Sequence, residues 1–83
     1  MLINVTEQHI KAGIRSSYVD CPISLAIKGH LPNCAVSTDY TVIQILKNGH
    51  ITKYRVPPEV YSFILDFDDN LEVKPFSFKL TKV

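Results

Sequence analysis

Cys21 and the histidines at positions 9, 30 and 50 are the first side chains to weigh for chemistry, because a thiol served by an imidazole base is a nucleophile. Cys21 opens the segment CPISLAI, where Pro22 suits a first helical position, yet no local signature ties any of the three histidines to it. Metal chemistry fares no better. The Cys and His residues stand at 9, 21, 30, 34 and 50, and zinc modules need paired ligands two to five residues apart. Asp66, Asp68, Asp69 and Glu72 cluster without the central glycine and alternating oxygen ligands of a calcium loop. The three glycines are dispersed, so no phosphate-cradling loop is present. The expectation is therefore a non-enzymatic protein with no cofactor and no metal, with a Cys21-dependent enzyme as a third alternative.

Anion recognition has more support. Arg15, Ser16 and Ser17 lie in the loop IRSSYVD (14–20) that feeds the helix beginning near Cys21; a helix start offers unpaired N–H groups and the positive end of a dipole. Lys53 and Arg55 lie on one face of a hairpin, with Gln44 opposite Lys53 and Tyr40 one pair beyond Arg55. Those four could grip an anion and stack a base, and equally they could be the wet side of a sheet. On either view Arg15→Ala and Arg55→Ala are expected to leave stability within about 0.5 kcal/mol, as exposed substitutions do.

The elements that must position these residues are legible by pattern. LINV (2–5) alternates as a short strand, Thr6 caps EQHIKA, and Gly13 supplies a left-handed stop. The helix from Cys21 or Pro22 ends at Gly29, and NCAVST (33–38) is an edge strand. The firmest element is the hairpin 40–56, YTVIQILKNGHITKYRV, because Asn48-Gly49 tolerates positive φ at both central positions of a type I′ turn. A two-residue turn fixes the register, so Lys47 faces His50 and Val42 faces Arg55. Ile43, Ile45, Tyr54 and Val56 then line one apolar face, and Tyr40, Val42, Gln44, Leu46, Ile51, Lys53 and Arg55 the other. Leu46 and Ile51, with Val42, form an apolar strip that invites a cover.

Beyond the hairpin, Pro57-Pro58 opens EVYSFILDF, where Val60, Phe63, Ile64 and Phe67 recur at helical spacing. Phe76, Phe78 and Leu80 alternate in a closing strand. Strands and helices without a βαβ repeat predict one small α+β domain over 1–83, an antiparallel sheet with the hairpin at its centre packed against two or three short helices.

Composition bounds the partners. Net charge is +1 and 46% of residues are hydrophobic, which argues against nucleic acid held by counterion release and fits a globular fold. No window approaches the about 20 apolar residues of a membrane span, and MLINVTEQHIKAG lacks the pattern of a secretory signal, so the expected location is the cytosol with both cysteines reduced. At this length the buried core is small, so a homodimer that hides more apolar surface would supplement its stability.

The elements VTEQHIKAG, CPISLAI, the VP followed by FILDFDD, and VKPFSF resemble those of short uncharacterised proteins encoded by bacteria and their phages. The resemblance spans nearly the whole chain and rests on caps and core residues, Thr6, Gly13, Cys21, Pro22, Phe63, Phe67, Phe76 and Phe78, so it implies a shared fold and carries no catalytic residue. It implies a phage-type counter-defence factor. Such a factor could sequester an anionic small molecule such as a signalling nucleotide, or block a host or antiviral protein by contact, as anti-CRISPR proteins do.

Overall fold

The computed structural model describes all residues, Met1–Val83. In chain order the elements are β1 (Leu2–Val5), α1 (Glu7–Ala12), α2 (Pro22–His30), β2 (Ala35–Thr38), β3 (Val42–Lys47), β4 (His50–Arg55), α3 (Pro58–Asp68), β5 (Phe76–Lys79) and β6 (Thr81–Lys82). This is a small α+β domain. Its strands form two antiparallel sheets rather than one: a pair β1-β5 and a four-stranded sheet β2-β3-β4-β6. The closing segment supplies both sheets. It pairs with β1 through Phe76–Lys79, then breaks at Leu80, whose N–H donates to the Met1 carbonyl, and re-enters beside β4. An alternation of apolar residues predicts a strand but carries no record of a change of partner.

The hairpin has the register that its turn dictates. Asn48 and Gly49 take φ of 52° and 78°, the pair of positive values that a type I′ turn needs, and Lys47↔His50 through Val42↔Arg55 pair as expected. Ile43 and Ile45 are buried and Tyr54 and Val56 half-buried against the core, while Lys53 and Arg55 are exposed. The strand begins at Val42, however, and not at Tyr40. Asp39 Oδ1 accepts the N–H groups of Thr41 and Val42 at 2.7 and 2.8 Å and the Thr41 hydroxyl at 3.0 Å. A short acidic side chain that satisfies its own neighbours in this way turns the backbone out of a ladder. Desolvation is the largest single influence and raises the Asp39 carboxyl, but the three hydrogen bonds from Thr41 and Val42 together outweigh it, leaving it below the ordinary carboxylate value.

One cluster of 14 buried hydrophobic residues joins both sheets and the longer helices, with Ile3, Ile23, Ile27, Ile43 and Val60 wholly inaccessible. The apolar stripe of α3 enters it through Val60, Phe63, Ile64 and Phe67, as the spacing predicts. Helix α2 packs on α1, β1 and β2, which is why it is apolar on nearly every side. Thr6 caps α1 with an added feature: its hydroxyl accepts the His9 N–H, and His9 Nδ1 accepts the Thr6 N–H at 3.0 Å, a reciprocal cap with histidine in the place usual for glutamate.

Two glycines behave differently from expectation. Gly13 does not take a left-handed conformation; its φ is −68° and ψ 148°. What excludes a side chain is space, because a Cβ there would meet Cδ and Cγ of Pro22 at 2.6 Å. Gly29 does not end α2 but lies inside it, with nothing nearer to a Cβ than His9 Nε2 at 3.8 Å. Gly29→Ala is therefore expected to stabilise the fold by about 0.5 to 1 kcal/mol. Gly13→Ala should destabilise it by at least about 1 kcal/mol through overpacking. Urea unfolding of the two variants checks both signs.

Candidate binding surface

Tyr40 sits with the loop residues Arg15 and Ser16 around the end of α3, apart from Gln44, Lys53 and Arg55. Arg15 lies at the C-terminal end of α3, where Nη2 donates to Asn70 Oδ1 and the guanidinium carbon stands 5.5 Å from the centroid of the Phe67 ring. Ser16, in a left-handed conformation with φ of 57°, donates its N–H to Asp68 Oδ1 at 2.9 Å. Ser17 Oγ accepts the Asp20 N–H at 3.0 Å. Tyr40 donates its hydroxyl to Asp68 Oδ2 at 3.0 Å and sets its ring edge-on to Tyr61, 6.2 Å between centroids. The carboxylate acceptor, and then its charge, hold the Tyr40 phenol above its usual range.

Asp68 is thus an internal anion on which the loop 14–20 and the β2–β3 turn converge. The reason lies in α3 itself. Its last turn holds no basic residue, and Asp66, Asp68 and Asp69 crowd the end where the helix dipole is negative. Donors from elsewhere in the chain meet this end: the Ser16 N–H and the Tyr40 hydroxyl bond Asp68, and Arg15 bonds Asn70 just beyond it. Such crowding at a helix exit is a signal that the sequence carries. The start of α2 lies beneath this assembly, with Cys21, Pro22, Ile23 and Ser24 buried, and the neighbouring cavity between Tyr18, Cys21, Thr38 and Asp68 has about 10 Å³, room for one water.

Arg15 consequently has more to lose than an ordinary exposed side chain. One hydrogen bond and one contact with an aromatic face together are worth about 1 kcal/mol. Arg15→Ala is expected to lower stability by about that amount, against the near-neutral expectation for an exposed residue, while Arg55→Ala leaves it unchanged. Thermal unfolding of the two variants, side by side, distinguishes the outcomes.

Gln44, Lys53 and Arg55 stay together on the outer face of the four-stranded sheet. The register lays that face out in rows that cross the strands: Ala35, Leu46 and Ile51; then Ser37, Gln44 and Lys53; then Val42, Arg55 and Thr81. The first row is apolar and open to solvent, with Leu46 42% and Ile51 59% exposed, and Val19, 49% exposed, extends it past β2. Together with Val36, Ser37 and Gln44 they line a shallow groove of about 220 Å³. Neither Lys53 nor Arg55 has an ion-pair partner; the one salt bridge of the molecule joins Lys28 to Asp20 at 3.8 Å. The face carries no carboxylate on its strands, and Asp39 at its corner is taken up by the turn.

The thiols occupy structural places. Cys21 is buried and points Sγ at Ser24 Oγ, 3.6 Å away, and Cys34 is half-buried; both are free. His9 is engaged in the cap of α1, and no three His, Cys, Asp or Glu side chains gather as a metal site. No helix is long and apolar enough to cross a membrane. Comparison with known protein families, with curated proteins and with solved structures finds no match to this chain.

Proposed function

We propose that this chain is a small non-enzymatic binding protein that covers a surface of another protein with the outer face of its four-stranded sheet. The observation that supports this is the apolar row Ala35, Leu46 and Ile51, left open beside two cations that no side chain of the chain pairs. Apolar surface of this kind gains about 25 cal/mol for each Å² removed from water. The resemblance to short bacterial and phage proteins gives the setting: cytosolic inhibition of host or antiviral machinery by contact. In the test, tagged wild-type protein and Ile51→Glu are used to capture partners from a bacterial host lysate. A protein retained by the wild type and lost with the folded Ile51→Glu variant is the expected result. Identical captures by the two would remove the face from the function.

Sequestration of an anionic small molecule such as a signalling nucleotide is favoured by one specific observation, the unpaired state of Lys53 and Arg55. Gln44 stands directly opposite Lys53 in the row between the apolar one and Arg55, whereas Arg15, Ser16 and Tyr40 already hold internal partners. A cyclic dinucleotide bound there would raise the melting temperature of the wild type by mass action and leave Lys53→Ala/Arg55→Ala unmoved. No rise in the wild type removes this second reading.

A further inference from the structure

We infer that the occupant of the outer sheet face is a single amphipathic helix of a partner protein, apolar along one stripe and acidic along the flank beside it. This rests on the proposal that the face acts by contact, and it names what the face receives.

The rows set the shape. Ala35, Leu46 and Ile51 are cross-strand neighbours on β2, β3 and β4, so at about 4.8 Å per strand the apolar row runs about 10 Å, crossing the strands instead of following them. Val19 lengthens it beyond the sheet edge and closes one end of the groove. A helix rising 1.5 Å per residue covers that span in about two to three turns, presenting residues at i, i+4 and i+7.

Charge sets the chemistry. Lys53 stands in the row next to the apolar one and Arg55 in the row after it, about 7 and 14 Å to one side. Both are exposed, both lack an internal carboxylate, and both lie on the same flank. A helix seated in the groove meets Lys53 and Arg55 on one flank, with the turn carrying Lys47 and His50 beyond the other, so acidic residues on the Lys53 side complement the cations that share its face.

The sheet edges point to the same occupant by elimination of a strand. The Thr38 N–H on the free side of β2 already donates to the Tyr18 carbonyl at 2.9 Å, and the opposite edge, β6, is two residues long. β6 covers only Tyr54 and Arg55, so residues 50–52 of β4 keep an open edge, but a strand added there would lie in the plane of the sheet and leave the row of Ala35, Leu46 and Ile51 uncovered. A second copy of this chain is the other helix donor to consider, since α3 exposes Tyr61 and Leu65 beside Asp66 and Asp69. That stripe and the sheet face both point away from the same core, so docking one on the other would be head-to-tail, giving a ring or an open chain of copies and no two-fold dimer. A separate chain avoids that outcome.

The test is a two-dimensional amide NMR titration of the intact protein with two synthetic 14-residue helical peptides. One has leucines at i, i+4, i+7 and i+11 with glutamates along one flank; the other has lysines in place of the glutamates. Saturable shifts centred on Ala35, Leu46, Ile51 and Lys53 are expected with the glutamate peptide, with about tenfold weaker binding of the lysine peptide. Lys53→Glu/Arg55→Glu, far from the core, should reverse that preference. Equal affinity for the two peptides, no saturable shift with either, or shifts centred on α3 would overturn the inference. Concentration-dependent shifts of the face without peptide would assign it to a second copy and overturn it as well. If the peptides fail while Ile51→Glu still abolishes partner capture, the helix falls and the contact face stands.

Discussion

Phe78→Ala will remove a large share of the protein's stability. Phe78 is 2% exposed and sits on β5 directly opposite Ile3, which is wholly buried. Its ring stacks beside Phe76 at 5.9 Å between centroids, and Phe76 in turn lies 4.9 Å from Phe63 of α3. The side chain therefore ties the two-stranded sheet to the α3 stripe, and no other strand backs up β1-β5. Truncating a buried phenylalanine costs about 3 to 5 kcal/mol, and a chain of this length has in total about 4 to 12 kcal/mol. The expected result is a large fall in the urea midpoint with the slope of the transition kept. Leu46→Ala, on the open face, is the control and should move the midpoint little. A Phe78→Ala protein with the wild-type midpoint would mean that the β1-β5 pair does not belong to the core.

The second large effect comes from the polar pair inside that core. Ser24 is wholly buried in α2, and its hydroxyl donates to the Tyr18 carbonyl at 2.7 Å. With that proton committed, the 2.8 Å contact between Ser24 Oγ and Thr38 Oγ1 has Thr38 as donor, and the Cys21 thiol is a further donor to the same oxygen. Ser24 is thus the acceptor for two buried groups and a donor to a third. Ser24→Ala strands the Thr38 hydroxyl and weakens the tie to the loop, at about 2 to 3 kcal/mol, because an unpaired buried donor loses its full solvation. Thr38→Val removes one donor, leaves Ser24 bonded to Tyr18, and should cost less. Chemical denaturation of both variants reads the order; a larger loss in Thr38→Val would contradict this donor assignment.

How much of this the amino-acid sequence carries depends on the range of the interactions. Asn48-Gly49 decides its turn within two residues, and the turn then decides the face of every side chain from Val42 to Arg55. The stripe of α3 likewise depends on spacing alone. The turn at Asp39 and the place of Gly29 inside α2 are local departures, and the others involve distant partners. Gly13 is fixed by the Pro22 ring, Tyr40 by Asp68, and Arg15 by Asn70 at a separation of 55 residues. Local pattern has no access to such pairs, so the residues 15, 16, 17 and 40 were separable from Gln44, Lys53 and Arg55 only in three dimensions. A local clue did exist in the acids crowding the negative end of α3, which require donors from elsewhere.

The outer sheet face is open, with Leu46 and Ile51 exposed, while the inner face is closed over Ile43 and Ile45. Paramagnetic relaxation by an inert soluble nitroxide or gadolinium chelate, read on the methyl groups of the free protein, tests it most directly. Strong relaxation of Val19, Leu46 and Ile51, with Ile3, Ile43 and Ile45 sheltered, is expected. If the Leu46 and Ile51 methyls are as sheltered as those of Ile43, the face is already covered, and no partner can be received there.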